Sequence, residues 1–113
     1  MTPGRRVPSP VASMRTAVIL RDGGCMAPTL DPEAGPCFDG WGDPLRNAWD
    51  VEIDYIERGA TGDRHVLATD HVSLCAGHHR GTGPQAGRIW AKGHGRREML
   101  RAYLAWKVGI TVG

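Results

Sequence analysis

The chain has few aromatic residues, one Phe, two Tyr and four Trp among 113, which excludes a core built mainly from large rings. Its three cysteines are an odd number, which does not suit a disulfide framework, and no apolar run follows Met1 as a secretory signal requires. Nothing approaches the roughly eighteen consecutive apolar residues of a membrane-spanning helix. A cytoplasmic chain with reduced thiols is therefore expected. Glycine (16) and proline (8) are plentiful instead, and a single small domain with so loose a backbone gains from a staple. A bound metal supplies one.

The net charge of +2 conceals an asymmetry. Arg80, Arg88, Lys92, Arg96, Arg97, Arg101 and Lys107 face one acid, Glu98, so the last third carries +6 and the rest −4. Such a basic third suits a polyanion, and it equally suits a solvated helix face.

Residues 1–12 hold three prolines and no periodicity, and read as a disordered leader before a single domain over 13–113. Ser13 is placed to cap a helix to Arg21, with Val18 and Ile19 inward and Gly23-Gly24 as its stop. A loop rich in Pro and Gly runs from Cys25 through Cys37 to Pro44. From Trp49 to Ile56 the pattern alternates, which predicts a strand with Val51, Ile53 and Tyr55 on one face and Glu52, Asp54 and Ile56 on the other. Gly59 and Gly62 mark a turn, and Arg64 to Leu67 a short return strand. Thr69 or Asp70 then caps a helix bearing Cys75, His78 and His79. A basic amphipathic helix is expected over about 96–107, its inward stripe including Met99, Leu100, Tyr103 and Leu104. The class is α+β.

Within the predicted helix, Cys75 and His78 have the two-residue spacing of a zinc-ligand pair. Cys25 and Cys37 complete a set of four if the eleven residues between them fold back, which the glycines beside them permit. The alternative is three buried free thiols acting as small hydrophobes, with His78 exposed. Trp90 and Trp106 read as core residues, with stacking on nucleic-acid bases as the alternative, and His94, between two glycines, as a loop residue.

The chain resembles the HNH family of ββα-metal (His-Me finger) nucleases, particularly its short phage-type members. The likeness rests on Arg21-Asp22-Gly23-Gly24-Cys25, Ile53-Asp54-Tyr55-Ile56, Arg101-Ala102-Tyr103-Leu104 and, above all, Asp70-His71-Val72-Ser73-Leu74-Cys75-Ala76-Gly77-His78-His79. It implies a zinc-stapled ββα-metal core with flanking helices, hydrolysing DNA phosphodiester bonds. By resemblance, Cys25, Cys37, Cys75 and His78 hold a structural zinc, while Asp54 and His79 bind a catalytic divalent ion such as Mg, Mn or Ni. Tyr55 stands where the family has its general-base histidine, and Asp70 where it has an asparagine. An unperturbed tyrosine is protonated at neutral pH and is no base, so His71 or His65 takes that role, the metal activates Tyr55, or the domain binds without cutting. Arg80, Arg88, Lys92, Arg96 and Arg97 are expected to grip DNA phosphates. Short members of the family often accompany a phage terminase, which makes that a further expected partner.

Overall fold

The computed structural model describes residues 10–56 and 70–112, so the expected return strand around Arg64, and His65 with it, lie outside the described residues. The first helix, α1, spans Pro10–Asp22 and so begins three residues before Ser13. A proline at the first helical position loses no hydrogen bond and arrives with its φ already set, so Pro10 opens α1 and Ser13 lies inside it. Val18 and Ile19 are buried as expected, and α1 stops where Gly23 turns left-handed (φ +76°) while its N–H still reaches the Ile19 carbonyl at 2.8 Å.

A single turn of helix, α2 (Ala27–Leu30), opens the long loop. Two strands follow, β1 (Glu52–Tyr55) and β2 (His71–Leu74), paired antiparallel with Glu52 opposite Leu74, Asp54 opposite Val72 and Tyr55 opposite His71. This corrects the expectation of a helix from Asp70 onward. His71-Val72-Ser73-Leu74 is a short run whose apolar residues suit either period, and pairing with β1 decides it. Trp49 and Asp50 fall outside β1 and are exposed.

The helix α3 (Ala76–Arg80) is therefore only five residues long, and its cap is Cys75, whose Sγ accepts from the His78 N–H at 3.4 Å. Gly81 ends it in the left-handed region (φ +83°), with Ile89 so close that a methyl group there would sit 2.7 Å from that side chain. Two 3₁₀ turns, Gly83–Gln85 and Trp90–Lys92, lead into α4, which spans Arg96–Val112. The expected basic helix is present and runs beyond Lys107.

Leu100, Tyr103 and Leu104 of α4 pack with Val72, Leu74, Ile56, Met26 and Trp90 in one apolar cluster. Trp90 is buried as expected, but Trp106 is 59% exposed. Six residues beyond Leu100, it falls outside the buried stripe. The carboxylate of Asp22 joins three elements: it accepts from Ser73 N at 2.8 Å, from Arg21 Nε at 2.7 Å, and from the Tyr103 hydroxyl. That contact and burial together push the Tyr103 hydroxyl above its ordinary range. Among the described residues no helix is long and apolar enough to cross a membrane.

Candidate metal centre

The four residues singled out for zinc converge. The ligand atoms of Cys25, Cys37, Cys75 and His78 all lie within 4.8 Å of one another. From His78 Nδ1 the three sulfurs stand at 3.5 Å (Cys25), 3.7 Å (Cys37) and 3.1 Å (Cys75). Ligands about 2.3 Å (sulfur) and 2.0 Å (nitrogen) from one tetrahedral ion lie about 3.5 Å apart, so the spacing fits zinc. The alternative of buried free thiols with an exposed His78 fails at His78, which is fully buried with its Nδ1 facing all three sulfurs.

Local structure explains the convergence. Cys75 caps α3, which turns its sulfur toward the first turn, where His78 lies three residues on. The Cys25–Cys37 loop is folded onto α3 by Gly77 N–H to Phe38 O (3.0 Å), and His78 Nε2 donates to Ala34 O at 2.8 Å. That bond fixes the tautomer that leaves Nδ1 free to ligate, as the outer partner of a zinc histidine does. Without a metal, hydrogen bonds from Cys25 and Cys37 hold the Cys75 thiol far below its ordinary value, and the contacts with Cys37 and Cys75, aided by burial, push Cys25 far above it. The Cys37 thiol is pushed up to about 11, lowered by Cys25 but raised more by Cys75 and burial. For His78, burial opposes charge, yet the contacts to Cys25, Cys75 and Ala34 O raise it to about 10. Three sulfurs and one imidazole nitrogen gathered this closely suit a divalent thiophilic ion.

The adjacent His79 faces the other way, onto the sheet. Glu52 and Asp54 share one face of β1, two residues apart, and His79 lies across both. Its Nδ1 is 2.7 Å from Glu52 Oε1 and its Nε2 is 3.6 Å from Asp54 Oδ1. Asp54 first and then Glu52 raise the imidazole above its ordinary value against the cost of burial. Arg97 takes the other Asp54 oxygen at 2.9 Å and the Tyr55 carbonyl at 2.8 Å, and Arg80 Nε takes Glu52 Oε2 at 2.7 Å. Asp54, His79, Ala91, Lys92 and Arg97 line a cavity of about 370 Å³ here. A roomier, mostly apolar cavity of about 610 Å³, lined by Met26, Leu30, Met99, Tyr103 and Trp106 with Arg21 and Asp22 of α1 at its border, shares no lining residue with this one.

Asp54 and His79 thus meet as expected, while Tyr55 does not join them. Strand alternation sends it to the opposite face, where its ring lies 5.0 Å from that of His71. His71 is on β2 rather than two helical turns before His79, and is buried. Asp70, just before β2, accepts Ile56 N–H through its backbone carbonyl at 2.8 Å. Of the expected phosphate grips, Arg80 and Arg97 are engaged as above, and Arg96 pairs with Asp31 at 3.1 Å and covers the Trp90 ring at 5.2 Å. Arg88 and Lys92 are exposed, as is the loop residue His94. Glu52 is the residue that sequence reasoning missed. Its only signal was the same strand face as Asp54. No family model, no curated protein and no solved structure matches this chain.

Proposed function

We propose that the protein is a zinc-stapled ββα-metal endonuclease of the HNH type that hydrolyses DNA phosphodiester bonds with one divalent ion. One observation carries the reading. Glu52 claims His79 Nδ1 and Arg97 claims Asp54 Oδ2, so the two atoms left over, Nε2 and Oδ1, face each other at 3.6 Å. Two ligands about 2.1 Å from a common ion stand about 3 to 3.6 Å apart, which this pair matches. The order β1, β2, α3, with the paired residue on β1 and its histidine on α3, also supports it.

In this reading Asp54 and His79 hold the ion, and Glu52 orients His79 through Nδ1. When bound, the ion polarises the scissile phosphate and stabilises the departing 3′ oxygen. Arg97 and Lys92 border the same cavity and offset phosphate charge. The cysteines and His78 take no chemical part; they fix α3 so that consecutive histidines look in different directions. Glu52→Gln is accordingly expected to weaken Mn²⁺ binding at the second site about 10- to 100-fold, measured by electron paramagnetic titration, with zinc content unchanged.

A second reading has its own support. Tyr55 and His71 sit across the sheet from Asp54, which favours a domain that binds DNA without cutting it. Incubation with supercoiled plasmid and Mg²⁺, Mn²⁺ or Ni²⁺ decides. Nicking supports the nuclease, and DNA retention without nicking supports the binding module.

A further inference from the structure

Trp41 is 91% exposed, yet it is carried on a heavily tied turn. Asp39 Oδ1 accepts from Trp41 N at 2.9 Å and from Asp43 N at 3.0 Å, and Asp39 N donates to Asp43 O at 2.8 Å. The Thr82 hydroxyl donates to the Asp39 carbonyl at 2.6 Å, and Leu45 N reaches the carbonyl of the zinc-site residue Cys37 at 3.1 Å. Gly42 adopts φ +84° and packs on Gly83 so closely that a methyl group on either would crowd the other's backbone, at 3.1 Å or less. The turn is thereby clamped between the metal centre and the segment after α3. A large ring left in water on so fixed a backbone adds nothing to the core, and the ordering cost of the turn that carries it is already met before any partner arrives.

Its position points to the partner. Gly40, next to Trp41, lies against Arg80: a methyl group there would stand 2.9 Å from a terminal guanidinium nitrogen. Arg80, whose side chain is 54% exposed, touches Glu52, which touches His79, which faces Asp54, itself paired with Arg97. The backbone just before Trp41 therefore borders a cation that leads through Glu52 to the second site. An exposed indole one residue along from the contact with a half-exposed guanidinium suits a base on the ring and a phosphate on the charge.

We propose that Trp41 is a base-stacking platform: an unstacked nucleobase of a DNA strand lies on its indole while the adjoining phosphates run along Arg80 toward His79 and Asp54. This rests on the reading of DNA as the substrate. Every base offers a π-face, so the platform adds affinity without choosing sequence, and it favours single-stranded or frayed DNA over intact duplex.

The test is fluorescence anisotropy with a labelled twelve-residue thymidine strand and a strand of abasic sites of equal length, without added divalent metal. The wild type should bind thymidine about tenfold more tightly than the abasic strand; Trp41→Ala should lose that preference by weakening thymidine binding alone, and Trp41→Phe should keep most of it. Unchanged zinc content and melting temperature verify that the exposed substitution leaves the fold intact. Trp41→Ala binding thymidine within twofold of wild type, or a wild type that ignores the bases, overturns the platform. Plasmid nicking measured alongside separates the two ideas. Trp41-dependent binding without nicking keeps the platform and rejects the nuclease, while nicking with no Trp41 effect on binding does the reverse.

Discussion

Removing the metal from the Cys25–Cys37–Cys75–His78 centre is expected to abolish cooperative unfolding, because the staple carries more free energy than the domain has to spare. Structural zinc in small domains contributes on the order of 10–16 kcal/mol at neutral pH, against a total stability of about 5–15 kcal/mol for a typical domain. The core has little to set against that loss. Its cluster is built mainly from Val, Leu, Ile, Met and Ala, with Trp90 and Tyr103 as its rings, and the long loop from Cys25 is joined to α3 chiefly around the metal ligands. Trp90 reports directly, since its ring lies 6.1 Å from that of His78. Chelation or Cys75→Ala should erase the calorimetric transition or lower its midpoint by more than about 20 °C, with loss of near-ultraviolet tryptophan ellipticity. Cys75→Ala is the more severe of the single-cysteine changes, because that residue also caps α3. A midpoint within about 2 °C after complete metal removal would contradict the staple.

Asp54→Ala and His79→Ala should each lower plasmid nicking by at least about 100-fold, with zinc content and melting temperature close to wild type. His79 is partly exposed and lies outside the four-ligand set, so its loss leaves the staple in place. The double variant should be little worse than either single one, because two ligands of one ion act as a unit and their losses do not add. Nicking that survives both substitutions would reject the proposed site, whatever the zinc content.

How far these features could be read beforehand varied with the distance over which each is determined. The Cys75–His78 pair is a local spacing on one turn, and it led to the right four residues. That Cys25 and Cys37 join it depends on a loop folding back, which adjacent glycines allow but cannot dictate. The segment His71–Leu74 is a strand of four residues, too short a pattern to declare its period, and only its partner β1 supplies the missing information. Glu52 escaped notice because its role arises from register and from the direction in which α3 leaves Cys75, 27 positions from the histidine it holds. The Arg97–Asp54 pair, 43 positions apart, is of the same kind. Trp106 shows the complementary failure: a general preference for burying tryptophan gives way to its phase on α4.

The central claim is that three thiolates and the Nδ1 of His78 hold one zinc ion, and that this fixes α3 so that His79 turns toward Asp54. Zinc-edge X-ray absorption on the purified full chain tests it most directly. The account predicts one zinc per chain with three sulfur neighbours at about 2.3 Å and one nitrogen at about 2.0 Å. Absence of stoichiometric metal, or a shell of oxygen and nitrogen without sulfur, would contradict it.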